Sequence, residues 1–216
     1  LRAFYKDLGL LDPVDFEVRE VATPLVPQPW REINTLTASY GHGVSTTPLH
    51  LVTGVSSIVN GGYAVKPKLV LDETVSKTST DVRVVSAETA QRIRQLLRLV
   101  VTEGTGSKAE VKGYRVGGKT GSAEKPGGSA GYRKTALVST FAAAFPMDRP
   151  RYVVIAMLDE PRGTLASSYQ RTAAWNAAPI VGRLVPRIGP LIGVRPDDTR
   201  DVDITDLKPL IPEANK

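Results

Sequence analysis

The segment Gly113-Tyr114-Arg115-Val116-Gly117-Gly118-Lys119-Thr120 fits the spacing G-x-x-x-x-G-K-[ST]. Glycines so placed let backbone N–H groups surround a phosphate, while the lysine adds a charge at the outer end. Downstream, Val153-Val154-Ile155-Ala156-Met157-Leu158-Asp159-Glu160 is an apolar run closing on acids, the pattern of a strand that offers a carboxylate to Mg²⁺. A P-loop nucleotide hydrolase must therefore be weighed. Such a loop needs a strand before it and a long helix directly after, whose N-terminus faces the phosphates. Here a helix and a Gly-rich turn precede the segment, and Gly121, Pro126, Gly127, Gly128 and Gly131 follow it. Glycine and proline at those positions disfavour a helix. The alternative takes Lys119-Thr120-Gly121 as part of an extended strand.

Other chemistry is limited by what the chain lacks. It contains no cysteine, which excludes disulfides and thiol catalysis. With histidine only at 42 and 50, a transition-metal site is not expected. His42 falls in a Gly-rich turn and His50 in the first turn of a helix, so both read as structural or surface residues. Asp159-Glu160 reads as a strand end rather than a metal site, and no cofactor is implied. Trp30 and Trp175 read as packing residues, and the Tyr40 ring is expected to pack under its turn. One S-x-x-K occurs, Ser122-Ala123-Glu124-Lys125. On a strand, residues three apart point to opposite faces, so this serine and lysine do not form a nucleophile–base pair.

The elements that must position Lys119 are legible from punctuation and periodicity. Residues 1–9 read as a helix stopping at Gly9, and residues 10–32, with Pro13, Pro24, Pro27 and Pro29, as loop. Thr47-Pro48 marks a helix start, with threonine as N-cap and proline at the first helical position. Leu49, Leu51, Val52, Val55 and Ile58 supply its apolar stripe, and Gly61-Gly62 its stop. Leu69–Val84 suggests a hairpin excursion. Ser86 caps the next helix with Glu88 in its first turn; Ala90, Ile93, Leu96, Leu97, Val100 and Val101 share a face, and Gly104-Thr105-Gly106 ends it. Three strands follow, at Gly117–Glu124, Thr135–Phe145 and Arg151–Asp159, joined by turns short enough for an antiparallel meander. Residues 167–186 suggest a last helix that Pro179 kinks or restarts. Beyond Pro186 the chain is rich in proline and aspartate and reads as a loose tail.

Net charge is +6, yet lysine and arginine are scattered without a run or interleaved aromatics, which argues against nucleic-acid binding. A hydrophobic fraction of 41% and a charged fraction of 23% are those of a soluble globular chain. No apolar run is long enough to cross a bilayer. The start, Leu1-Arg2-Ala3-Phe4-Tyr5, has neither an initiator methionine nor a signal-peptide pattern. It reads as a helix already under way, so a longer parent chain is expected.

Several segments together resemble one family. Lys119-Thr120-Gly121-Ser122-Ala123 resembles the extended K-T-G-[ST]-A of penicillin-binding proteins and serine β-lactamases, in which K-T-G lies on a sheet-edge strand beside the nucleophile. Ser39-Tyr40-Gly41-His42-Gly43 followed by Thr47-Pro48-Leu49 resembles the family's G-x-G…T-P-L helix entry. Thr102-Glu103-Gly104-Thr105-Gly106-Ser107-Lys108-Ala109 resembles its helix-ending G-T-G-x-x-A turn. The order and gaps are similar to those of class B, division-type peptidoglycan D,D-transpeptidases. The resemblance implies an α+β fold, an antiparallel sheet packed with helices, with residues 1–190 forming the C-terminal part of the transpeptidase domain and 191–216 a Pro/Asp-rich tail. The family's S-x-N does not occur, and its nucleophilic S-x-x-K is not in place, so the chain is expected to begin downstream of both and to be inactive alone.

The resemblance also implies roles. The family's reaction is acyl transfer: a serine attacks the penultimate D-Ala carbonyl of a peptidoglycan stem peptide, the terminal D-Ala leaves, and a neighbouring amine takes the acyl group. β-Lactams mimic D-Ala-D-Ala and stop at the acyl-enzyme. By this resemblance Lys119 supplies positive charge near the substrate carboxylate, and Thr120 offers that carboxylate its hydroxyl. Gly121 lets the substrate backbone lie close, and the backbone N–H of Ser122 forms half of the oxyanion hole. Implied partners are stem peptides, β-lactam antibiotics and division-complex membrane proteins. The implied location is the bacterial inner membrane, with a periplasmic catalytic domain and a single anchor upstream. A module of the same fold that binds stem peptides or a partner without catalysis is the other reading. Loss of the rest of the sheet is expected to expose the strand at 151–159 as an edge, destabilising the isolated chain or driving it to oligomerise.

Overall fold

The computed structural model describes residues 1–70, 79–128 and 131–211. Its contacts divide the chain into two compact units, Leu1–Ala90 and the chain from Gln91 onward.

In the first unit, helix α1 (Arg2–Asp7) ends at Gly9, whose φ of +72° suits glycine. Helix α2 (Glu32–Ala38) was not visible as periodicity; the Asn34 side chain accepts from the Arg31 backbone N–H and starts it. Helix α3 (Pro48–Val59) begins as expected, with Thr47 as N-cap and Pro48 at its first position. His50 is buried there as a structural residue. Its Nε2 donates to Asp12 O at 2.9 Å, which leaves Nδ1 to accept from the Thr47 backbone N–H at 3.3 Å. Strand β1 (Tyr63–Val65) pairs antiparallel with β2 (Ser79–Arg83). Half of the segment Leu69–Val84, where a hairpin was expected, is residues 71–78, outside the described residues. Tyr40, expected under the turn, is 73% exposed and stacks on His42 instead.

Helix α4 (Ala87–Glu103) runs into the second unit and stops before Gly104. The sheet of that unit is the expected antiparallel meander: β3 (Gly117–Pro126), β4 (Tyr132–Phe145) and β5 (Tyr152–Asp159), in the order β3-β4-β5. Helix α5 (Ala177–Ile188) lays Ala177, Ala178, Val181 and Val185 against Phe141, Ala143 and Phe145 of β4. Val101 of α4 joins that core, together with Tyr114 and Val116 from the segment before β3. Phe141, Phe145 and Met147 are fully buried, each contributing about 2–3 kcal/mol of hydrophobic stabilisation.

Two expectations are corrected here. The last helix starts at Ala177 rather than 167, because Ser168 and Tyr169 adopt left-handed φ of 48° and 59° and Asn176 supplies the N-cap. Arg98, on α4, is buried, 4% exposed. The chain beyond Pro186 is not loose through residue 211. Val194, Ile204 and Leu207 are buried, and Asp201 bonds Arg98, Asp206 bonds Arg92, and the Asp203 carbonyl accepts from Gln95 at 2.8 Å.

Candidate active site

Lys119, Thr120, Gly121 and Ser122 all lie on β3, an edge strand whose only sheet partner among the described residues is β4. Thr120 pairs with Phe141 and Ser122 with Ser139, so their side chains share the face that α5 covers. Lys119 and Gly121 belong to the opposite face. The strand lies close to β4 because Gly118 has no side chain: a Cβ there would sit 2.5 Å from Ala142 O and 2.7 Å from the Phe141 ring. At Gly121 the space is open, the nearest atom being Thr140 O at 3.8 Å. A ligand backbone can therefore approach the strand at that residue.

Two buried arginines fix the start of β3. Arg98 Nη1 donates to Val116 O at 2.8 Å while its guanidinium bonds the carboxylates of Glu110 and Asp201. Burial disfavours the Arg98 charge, but the hydrogen bonds it donates to Glu110 and Asp201 more than offset that and raise its pKa. Arg115, itself 3% exposed, bonds Asp148 at 2.6 Å, Gly113 O at 2.6 Å and Asp197 O at 2.7 Å. Arg115 also holds a left-handed φ of 49°.

This arrangement overturns the nucleotide-hydrolase reading. Residues 113–116 are packed and bonded into the core instead of forming an open cradle. Lys119 and Thr120 continue as strand, and no helix springs from them. Asp159 and Glu160 are also engaged: Lys125 Nζ lies 2.9 Å from Asp159 and 3.0 Å from Glu160, and Arg133 lies 2.9 Å from Glu160. Asp159 and then Glu160 raise the Lys125 pKa, and Lys125 lowers that of Glu160.

The side chains of the triad are placed as follows. Lys119 is exposed, and its Nζ donates to Thr120 O at 2.8 Å. Among the described residues no carboxylate pairs with it. The Thr120 hydroxyl lies 3.0 Å from that of Thr105, which sits in the turn closing α4. Ser122 Oγ accepts from the Ala173 backbone N–H at 3.0 Å, tying β3 to the segment that leads into α5. Ser122 and Lys125 therefore engage different partners, as their three-residue spacing implied. The structure brings Thr105 to the triad, a neighbour whose G-T-G-x-x-A motif points in sequence to a helix end and a family likeness but to no site role. A positive group, a hydroxyl and an open strand edge together suit an extended peptide that ends in a carboxylate.

Comparison with known proteins agrees with this geometry. The penicillin binding protein transpeptidase domain family matches residues 1–183. A probable peptidoglycan D,D-transpeptidase FtsI of Caulobacter vibrioides is 36% identical over 203 residues, covering 90% of this chain and 34% of that protein. Stage V sporulation protein D of Bacillus subtilis is 39% identical over 173 residues, covering 76% of this chain and 26% of that protein. The chain thus spans about a quarter to a third of the length of these relatives. Among solved structures, penicillin-binding protein 3 of Mycobacterium tuberculosis with aztreonam superposes with a TM-score of 0.77 at 29% identity, over 91% of this chain and 47% of that one. The transpeptidase domain of penicillin-binding protein 3 from Burkholderia pseudomallei gives the same TM-score of 0.77 and identity of 29%, over 91% and 58%.

Proposed function

The chain belongs to the penicillin-binding protein transpeptidase domain family, and from that membership we propose that it is the C-terminal part of a division-type peptidoglycan D,D-transpeptidase. One observation carries the reading: Lys119-Thr120-Gly121-Ser122 stands on an edge strand that leaves room at Gly121 for a peptide backbone. A stem peptide adds to β3 as a further strand. The ammonium of Lys119 turns from Thr120 O toward the terminal carboxylate, and the Thr120 hydroxyl donates to it. These are charge-assisted contacts, about twice as strong as neutral hydrogen bonds. The Ser122 N–H meets the oxyanion that develops when a serine attacks the penultimate D-Ala carbonyl. The terminal D-Ala leaves, and an amine from a second stem peptide accepts the acyl group.

On this reading the nucleophile is not among these 216 residues. No S-x-N occurs in the chain, and the hydroxyl of its single S-x-x-K serine already accepts from Ala173. β-Lactams occupy the same strand edge and remain as acyl-enzyme. The full-length protein acts at the bacterial inner membrane with its catalytic domain in the periplasm, beside division-complex membrane proteins. Fluorescent penicillin tests the proposal. The full-length protein should label covalently, and residues 1–216 alone should not. A full-length protein that refuses the label while binding stem peptides would replace this reading with the non-catalytic module.

A further inference from the structure

We propose that Thr105 is a positioning residue that orients the Thr120 hydroxyl toward the anionic end of the substrate; this rests on the transpeptidase reading above. The two hydroxyl oxygens are 3.0 Å apart. Each hydroxyl has one proton to give and lone pairs to receive with. If Thr120 gave its proton to Thr105, it would turn lone pairs toward an arriving carboxylate and repel it. If Thr105 donates instead, the Thr120 proton is left to point at the carboxylate. An anion at the strand edge selects the second arrangement, and Thr105 then fixes the direction of the Thr120 donor.

The short distance follows from the packing beneath it. Thr105 lies between Gly104 and Gly106, and the Gly106 N–H donates to Val100 O at 3.0 Å, closing the turn on the last residues of α4. A Cβ on Gly106 would meet Val100 O at 3.1 Å and the Phe141 ring at 3.3 Å, so the turn sits directly on that ring. Phe141 is the register partner of Thr120. One buried side chain thus braces the backbone on both sides of the hydroxyl pair. As a β-branched residue, Thr105 also has few χ1 positions in which to lose the contact.

The test uses the full-length protein and its second-order rate of acylation by a penicillin and by the same penicillin as its methyl ester, which has no anion. Thr105→Val keeps the shape and removes the hydroxyl. It should slow acylation by the free acid about five- to tenfold, the effect of one misdirected hydrogen bond, and leave the ester rate unchanged. Thr105→Ser should restore the acid rate to within about twofold, because it restores the donor. In a Thr120→Val background, Thr105→Val should add nothing. Equal slowing of acid and ester, further slowing on top of Thr120→Val, or a Thr105→Val that matches wild type would each overturn the inference. Thermal unfolding of every variant guards against misfolding, and Thr105→Ala serves if the valine variant does not fold. Wild-type protein that takes up no penicillin would defeat the transpeptidase reading itself, a result distinct from those three.

Discussion

Phe141 offers the sharpest test of how the fold positions the strand edge. Its ring is 0% exposed, pairs in register with Thr120, and lies against both Gly106 and Gly118. Replacing it with alanine removes a fully buried ring and leaves a cavity, at a cost of about 3–5 kcal/mol. Each kcal/mol moves Tm by about 2–4 °C in a domain of 150–250 residues and by less in a larger one, so Phe141→Ala should lower Tm by several degrees. Phe141→Leu keeps much of the volume and should cost about 1–2 kcal/mol, which keeps the protein folded at assay temperature. Thermal unfolding of the full-length protein gives the stability change, and acylation by fluorescent penicillin, measured well below each variant's Tm, gives the site effect. Phe141→Leu should slow acylation several-fold in fully folded protein, since the Thr105 turn and β3 both lose their brace. Destabilisation with an unchanged acylation rate would refute the link between the ring and the site; unchanged stability would refute the packing itself.

Further outcomes follow from other contacts. Arg98→Met deletes the bonds to Glu110, Asp201 and Val116 O; because the two carboxylates are 37% and 42% exposed and can regain water, the loss should be about 2–3 kcal/mol in urea unfolding. Gly118→Ala pushes a Cβ into Ala142 O and the Phe141 ring, so β3 must shift, and about 1–3 kcal/mol of stability should be lost along with acylation rate. Bonds from the Thr199 hydroxyl and N–H, then from Arg200, lower the Asp197 pKa from 3.8 to about 2. A value depressed in the folded state adds stability that is full above 3.8 and is lost as pH falls through about 2, so Asp197→Asn should flatten the acid-unfolding profile in that window. A profile unchanged by that substitution would show that Asp197 does not hold its segment.

Local punctuation predicted much of this fold. Thr47-Pro48 placed the start of α3, the glycines at 104 and 106 the stop of α4, and three strand-like runs separated by short Gly/Pro-rich turns the meander. The strand position of Lys119 followed from the glycines and proline after it, which no helix would carry. Sequence failed where structure depends on distant partners. The aspartates at 197, 201, 203 and 206 look like a solvated tail, yet each is engaged by side chains or backbone, Asp201 and Asp206 by arginines some hundred residues earlier. Arg98 looked like one base among many because nothing local reveals that Glu110 and Asp201 converge on it. The Thr105–Thr120 pair was hidden for the same reason. Both residues lay in motifs already noticed, but only the packing of the α4 turn on Phe141 brings the motifs together.

The most direct test is the crystal structure of the full-length protein acylated by a penicillin. The acyl chain should run along β3 at Gly121, with the penicillin carboxylate within hydrogen-bond distance of Thr120 Oγ1 and facing the Lys119 ammonium. An adduct whose carboxylate lies away from this strand, with Lys119 still on Thr120 O, would contradict the assignment of these residues to the substrate's anionic end.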